Sequence, residues 1–176
     1  MPPTKGKSGS GRAGADPPNN FALETRSDAS EGLQALADGN DLAISNITGN
    51  RPLILLVDDE PHVCVLTKLM LCDEGYKVVT APDGDQAIAI FEKLGPYISL
   101  VILDLIMPSM DGEDVFNRLR KIDPNIAVVL SSGFTDQAKL DRMLAHGLRG
   151  SIAKPYTQQR LLEQVRETLD AIQAKK

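Results

Sequence analysis

The chain has 176 residues, 42% of them hydrophobic, which is enough for one ordinary core and favours a single folded domain. Nineteen Lys and Arg against 24 Asp and Glu give a net charge of −5, and no basic run precedes the two terminal lysines, so nothing predicts binding to nucleic acid or to an anionic membrane. Because the N-terminus has no apolar signal core and no apolar run approaches the roughly 18 residues that span a bilayer, we expect a cytoplasmic protein.

Residues 1–51 differ in composition from the rest of the chain. They are rich in Gly, Ser, Pro, Asn and Asp and carry few large apolar side chains. So little apolar surface does not offset the entropy lost when a chain is ordered, so we expect a disordered N-terminal extension. One stretch, "DASEGLQALADG", allows a short helix as the alternative, with Asp28 as N-cap and Leu33 and Leu36 on one face. The folded domain is expected at 52–174.

From Leu53 onward, short continuous apolar runs alternate with amphipathic segments. Continuous hydrophobicity is typical of strands buried on both faces, as in a parallel sheet that helices cover. The intervening segments carry apolar residues at helical spacing, and Pro61 suits the first position of a helix. The pattern predicts an α/β fold, (βα)5, with a doubly wound five-stranded parallel sheet. The runs are LILLV at 53–57, KVVT at 77–80, SLVIL at 99–103, IAVVL at 126–130 and SIA at 151–153.

Polar residues follow four of the five runs. Since parallel strands point the same way, these residues are expected to meet at one edge of the sheet, where open α/β folds build their sites. Carboxylates packed together repel one another, so a cation is expected among them, either a hard divalent ion such as Mg²⁺ or the lysine. The residues are Asp58, Asp59 and Glu60 after the first run, Asp104 after the third, Ser131 and Ser132 after the fourth, and Lys154 after the fifth.

Four motifs, VDDEP, LVILDLIMPSMDGEDVF, VLSSGF and AKPY, occur in this order, each at the end of a strand run. Together they resemble the receiver domain of two-component response regulators, over about 52–174. The resemblance implies the flavodoxin-like strand order 2-1-3-4-5. One motif alone would be weak, because many strands end in Asp, whereas the four together are specific.

The resemblance implies that Asp104 is the phosphoacceptor and that Lys154 contacts the phosphoryl oxygens. Ser132 takes the position of the switch hydroxyl; Ser131 is the alternative, and we prefer Ser132 because a small residue follows it. The Lys154–Pro155 bond is expected to be cis. These roles suit the chemistry, since a carboxylate held in line with a phosphoryl donor forms an aspartyl phosphate when the spreading charge is neutralised.

The same resemblance implies a Mg²⁺ site. Asp59 is the expected direct ligand, and Asp58 helps to hold the metal through water. Asp104 and the main-chain carbonyl of Ile106 complete the protein ligands. Oxygen donors with retained water are what Mg²⁺ prefers.

Two departures from the family pattern stand out. Receivers usually carry an aromatic residue on the fifth strand, where this chain has Ser151, and Tyr156 is not expected to replace it because it follows the Lys-Pro bond. The positions that overhang the phosphorylation site are Ile106 and Phe134, which cannot orient a water molecule. We therefore expect slow self-dephosphorylation and doubt the usual coupling of the switch.

The functional prediction is a phosphorelay receiver that takes a phosphoryl group from a histidine kinase or histidine phosphotransfer protein and signals through a downstream protein. It catalyses only its own phosphorylation and dephosphorylation. Only one helix is predicted after Lys154, so no output domain is expected. The alternatives are a degenerate or detached hybrid-kinase receiver, acting as a docking module or phosphate sink, and a nucleotide hydrolase. The hydrolase is disfavoured because "KGKS" at 5–8 has Met1 where a phosphate loop needs its first glycine.

Overall fold

The computed structural model describes residues 51–133 and 136–174. The predicted N-terminal extension, with its possible helix, lies outside these residues except for Arg51, and so does Phe134. Five strands and five α-helices alternate along the described chain, as the hydrophobic pattern predicts. The strands are β1 Leu53–Val57, β2 Lys77–Ala81, β3 Ile98–Asp104, β4 Val128–Ser132 and β5 Gly150–Ala153. The helices are α1 Pro61–Asp73, α2 Gly84–Leu94, α3 Gly112–Ile122, α4 Gln137–Ala145 and α5 Gln158–Gln173, with a 3₁₀ turn at Gly95–Tyr97.

The five strands form one parallel sheet in the order β2-β1-β3-β4-β5, which confirms the predicted fold class. β4 begins two residues later than its apolar run. The ladder continues past that run, because Ser131 pairs with Asp104 and Ser132 pairs with Ala153. An apolar run marks burial, whereas hydrogen bonding to the neighbouring strands sets where a strand ends.

Alternation along the strands divides the core into two layers. One row, which includes Leu55, Leu103 and Leu130, packs against α2, α3 and α4, and we call this side the α2–α4 face. The alternate row, which includes Ile54 and Ile102, packs against α1 and α5 on what we call the α1/α5 face. Both rows are buried, which explains why the strands read as continuous apolar runs.

Gly112 lets α3 begin directly beside the end of β3. A Cβ at this position would lie 2.4 Å from the main-chain oxygen of Asp104 and 2.8 Å from Cα of Leu105. No side chain fits in that space, and the Gly112 N–H donates to the Leu105 carbonyl at 2.9 Å. The loop between Asp104 and α3 is therefore folded tightly against the carboxyl edge of the sheet. Within the part of the chain that the structure describes, no helix is long and apolar enough to cross a membrane.

Candidate functional site

Three charged side chains meet at the carboxyl edge of the sheet. Asp58 follows β1, Asp104 ends β3 and Lys154 follows β5. By alternation each continues a row of the α1/α5 face, since Asp58 is two residues beyond Leu56, Asp104 is two beyond Ile102, and Lys154 is two beyond Ile152. Asp58 is 1% exposed and Asp104 5% exposed. The sequence thus brings two buried carboxylates and an ammonium to one edge, as predicted.

The Lys154 ammonium lies between the two carboxylates. Its Nζ is 2.6 Å from Oδ2 of Asp58 and 2.6 Å from Oδ2 of Asp104, and 3.5 Å from Oε1 of Glu60. The backbone places it there, because the Lys154 N–H donates to the Ser132 carbonyl at 2.8 Å and so extends the pairing of β5 with β4. The Lys154–Pro155 peptide is cis, as the resemblance implied.

The second oxygen of each carboxylate accepts a main-chain hydrogen bond. Asp58 Oδ1 accepts from the Glu60 N–H at 3.0 Å, and Asp104 Oδ1 accepts from the Ile106 N–H at 3.1 Å. Each acidic group is therefore fixed at two points, by a backbone donor two residues ahead and by Lys154. Charge-assisted bonds of this kind give a carboxylate a defined orientation.

The site carries an excess of negative charge. Burial raises the pKa of Asp58, and the hydrogen bonds from Lys154 and the Glu60 N–H lower it without offsetting the burial. Burial alone would lower the pKa of Lys154, but its hydrogen bonds and charge interactions with Asp104 and Asp58 outweigh that effect and raise it. Lys154 is thus a permanent cation at neutral pH, and its single charge faces three carboxylates.

The donor set fits a hard divalent cation. Carboxylate oxygens of Asp58, Glu60 and Asp104 lie within 4.8 Å of one another, so a single ion could contact all three groups. Glu60 is one of the carboxylates expected at this edge from the sequence, but it is not among the predicted ligands. The signal for it was its place in "DDE", directly after the strand. Asp59, half-buried, is not part of this trio, so its role as a direct ligand stays a prediction.

Ile106 and the two serines are close to the charged centre. Ile106 contacts Asp104 through its N–H, and the residue is 61% exposed. Ser131 pairs with Asp104 in the sheet, and Ser132 accepts the Lys154 N–H through its carbonyl; both are buried. The metal contact of the Ile106 carbonyl and the choice of Ser132 as switch stay predictions.

Tyr156 and Ser151 lie on opposite faces of the sheet. The Tyr156 ring packs against the core of the α1/α5 face, and its hydroxyl is 2.8 Å from Oγ1 of Thr67 in α1. Ser151, half-buried, pairs with Leu130, which belongs to the α2–α4 face. This placement agrees with the argument that Tyr156 does not substitute for an aromatic residue at position 151.

The fold and the site together define a class of protein, a flavodoxin-like α/β domain with an acidic, lysine-containing centre at the carboxyl edge of its sheet. Residues 54–166 match the family model described as response regulator receiver domain. The chain therefore belongs to the family of response regulator receiver domains, the phosphate-accepting signalling units of two-component systems.

Individual relatives are consistent with this assignment. The chain is 34% identical over 117 residues to "Sensor kinase CckA" of Brucella abortus, covering 66% of this chain and 12% of the kinase. It is 31% identical over 117 residues to "Chemotaxis protein CheY" of Treponema pallidum, covering 66% of this chain and 81% of that protein. A CheY-like receiver domain structure from Methanospirillum hungatei superposes with a TM-score of 0.68 at 27% identity, covering 72% of this chain and 100% of the other. The chain spans about half the length of several other curated relatives.

Proposed function

We propose that Asp104 accepts a phosphoryl group from the phosphohistidine of a histidine kinase or a histidine phosphotransfer protein, and that the phosphorylated chain signals by contact with a downstream protein. The observation that carries this proposal is the position of Lys154 Nζ, 2.6 Å from a carboxylate oxygen of Asp104. A lysine held there is a point charge next to the oxygens of any phosphoryl group that Asp104 receives.

The proposed reaction forms one bond and breaks one. A carboxylate oxygen of Asp104 forms the O–P bond of an acyl phosphate while the P–N bond of the phosphohistidine breaks. The electron pair of that bond stays with the departing imidazole nitrogen. The main-chain N–H of Ile106, 3.1 Å from Oδ1 of Asp104, orients the carboxylate, and Lys154 and Ser132 are proposed to contact the phosphoryl oxygens.

A Mg²⁺ ion is proposed at the acidic cluster. When bound, it supplies positive charge that offsets the charge on the transferring phosphoryl oxygens. We assign Asp59 as its direct side-chain ligand, with Asp104 and the Ile106 carbonyl, and assign Asp58 a contact through water. The grouping of Asp58, Glu60 and Asp104 oxygens supports a cation at this edge and makes Glu60 the rival ligand to Asp59.

Asp104→Asn tests the acceptor. Purified wild type incubated with acetyl phosphate and Mg²⁺ should gain one phosphoryl group by mass spectrometry, and Asp104→Asn should gain none. Asp170→Asn is a matched control, because Asp170 is an exposed aspartate near the C-terminal end of α5, a helix that begins at the carboxyl edge and runs away from it. Label on another aspartate of the Asp104→Asn protein would contradict the assignment.

Asp59→Asn and Glu60→Gln separate the two candidate ligands. We expect Asp59→Asn to weaken Mg²⁺ binding, measured by calorimetry, and to slow phosphate uptake. Glu60→Gln should have the smaller effect, because the Glu60 side chain lies on the exposed rim of the site. A larger loss of Mg²⁺ affinity in Glu60→Gln would transfer the ligand role to that residue.

A second candidate function is that of a phosphate relay or sink, which the similarity to a 117-residue segment of a sensor kinase favours. In that case Asp104 returns its phosphoryl group to a histidine. Phosphorylated protein mixed with an excess of unphosphorylated histidine phosphotransfer protein distinguishes the two functions. Rapid loss of label from Asp104 to that protein indicates a relay, and retention indicates an output through protein contact.

A further inference from the structure

Lys154 lies on a short link between β5, which ends at Ala153, and α5, which begins at Gln158. At the first end of the link, the Lys154 N–H is bonded to the sheet. At the other end, Thr157 caps its own helix by accepting from the Arg160 N–H at 3.3 Å. Pro155 has no N–H to donate. Tyr156 is the remaining residue of the link, and its side chain reaches another helix.

Tyr156 makes such a contact. Its hydroxyl and Oγ1 of Thr67 are 2.8 Å apart, which joins the link to the middle of α1 across 89 positions of sequence. Thr67 is 1% exposed, and the Tyr156 ring packs against the core of the α1/α5 face. A hydrogen bond between two hydroxyls in such partly buried surroundings fixes the direction of both side chains.

The same side of α1 also contacts the other half of the charged centre. Cys64, one turn before Thr67, donates its thiol hydrogen to the main-chain oxygen of Asp58 at 3.2 Å. Helix α1 therefore contacts the backbone at Asp58 through Cys64 and the link that carries Lys154 through Thr67. Asp58 and Lys154, whose charged atoms lie 2.6 Å apart, therefore both have a neighbouring segment bonded to the same helix.

We propose that the hydrogen bond between Tyr156 and Thr67 is a positioning contact for phosphoryl transfer. It holds the backbone at Lys154 so that the ammonium stays at Asp104. Neither hydroxyl touches the reacting atoms; both act through Lys154, whose flexible four-carbon stem needs a fixed base to place its charge. The proposal rests on the proposed phosphorylation of Asp104.

Two substitutions remove the bond with little change of shape. Tyr156→Phe deletes one hydroxyl and keeps the ring, and Thr67→Val replaces the other hydroxyl with a methyl group. Thr67→Ser retains the bond. Thr168→Val is the matched control, because Thr168 is also buried on the α1/α5 face and its hydroxyl donates to the Gln164 carbonyl at 2.8 Å, within α5 alone.

The first measurement is the rate of phosphate uptake from acetyl phosphate at saturating Mg²⁺. We expect Tyr156→Phe and Thr67→Val to lower that rate roughly three- to tenfold, since a displaced charge loses much of its effect on a reacting group. Thr67→Ser should restore the rate and Thr168→Val should leave it unchanged. Thermal melts of all four variants separate loss of stability from loss of rate.

The second measurement reports on Lys154 directly. An ammonium that is mostly buried and bonded to two carboxylates exchanges its protons slowly enough to give a ¹⁵N–¹H correlation, assigned by its absence in Lys154→Met. That signal should shift or broaden in Tyr156→Phe and Thr67→Val and stay in place in Thr168→Val. A role confined to stability would not move it.

The proposal is overturned if Tyr156→Phe and Thr67→Val melt at lower temperature than wild type but keep its uptake rate and its Lys154 signal. A wild type that takes up no label refutes the proposed function instead, and the Lys154 signal still decides whether the hydrogen bond positions the ammonium. The two failures are therefore distinguishable.

Discussion

Near the candidate site, the helices on the two faces of the sheet are held by different kinds of contact. On the α1/α5 face the contacts are partly buried and uncharged, namely Cys64 to the Asp58 carbonyl and Thr67 to Tyr156. On the α2–α4 face the corresponding contacts are ion pairs at the surface. These are Lys139 with Asp111, Lys139 and Arg142 with Glu113, and Arg118 with Asp85.

The residues of the candidate site are divided between these two faces. Asp58, Asp104 and Lys154 continue the rows of the α1/α5 face, so the charged centre lies on the side that has the partly buried, uncharged contacts. Ser132 and Ser151 belong to the alternate rows, on the α2–α4 face, where ion pairs join α4 to Asp111 and Glu113 at the start of α3. Exposed ion pairs are weak and easily exchanged with water, so the charged contacts between α4 and α3 contribute little to holding α4 in place.

Lys154→Met is expected to have the largest effect, because it removes the only cation within 4 Å of Asp104 among the described residues. Phosphate uptake should fall about 100-fold or more, as when a preorganised charge is deleted from a reacting site. The comparison variant is Lys139→Met, which removes a lysine from the α2–α4 face and should leave uptake nearly unchanged. If the two variants lost phosphate uptake equally, a lysine on the α2–α4 face would matter as much for uptake as Lys154 does.

Ile106→Asn tests the loop that connects Asp104 to the α2–α4 face. The exposed Ile106 side chain cannot orient a water molecule, whereas Asn can. We expect self-dephosphorylation to become about threefold faster or more, measured as phosphate release from purified phosphoprotein with Mg²⁺ present. Ile106→Leu is the control for size. If the leucine variant loses phosphate as fast as the asparagine variant, polarity at this position does not set the rate.

Most of the fold was predictable because buried strands produce a simple hydrophobic pattern in this sequence. Both faces of the sheet are covered, so the strands are continuous apolar runs, and four of the five begin within one residue of the prediction. The predicted end of β4 was two residues too early, because Ser131 and Ser132 continue the hydrogen-bonded ladder although they are polar. A pattern of apolar residues does not register a buried serine that is hydrogen-bonded through its backbone.

The candidate site was predictable in part. Parallel strands bring their carboxyl ends together, so the convergence of Asp58, Asp104 and Lys154 follows from topology. The contact between Thr67 and Tyr156 does not, because it joins residues 89 positions apart through side chains that depend on the packing of α1 against the link. The sequence also does not predict whether Asp59 or Glu60 faces Asp104. The regular alternation of side chains stops where the strand ends, so the loop conformation decides which of the two points toward the site.

Thr67→Val should cost about 1 kcal/mol of unfolding free energy, the usual net contribution of a neutral hydrogen bond. The loss should be the same at low and high salt, because no charge is involved and Thr67 is buried. Urea denaturation at two salt concentrations measures it, with Thr67→Ser as the variant expected to keep most of the stability. A loss that shrinks with salt would show that the contact between Thr67 and Tyr156 depends on the neighbouring charges.

The smallest effect is expected for Lys139→Met, measured as unfolding free energy. Lys139 Nζ lies 2.5 Å from Oδ2 of Asp111, but half of the Asp111 side chain is exposed, so solvent screening limits the loss to about 0.5 kcal/mol. Burial raises the pKa of Asp111, yet the hydrogen bonds from Lys139 and the Glu113 N–H outweigh it and lower that pKa below the ordinary 3.8. A carboxylate with a lowered pKa in the folded state contributes stability that is present above 3.8 and is lost as the pH falls through the folded-state value. The difference between wild type and Lys139→Met should therefore appear at neutral pH and low salt, shrink in about 1 M salt, and vanish in strong acid. Thr67→Val, measured beside it, should show neither dependence, and a Lys139→Met loss that persists in acid and in high salt would mean that the α2–α4 face is held by packing rather than by charge.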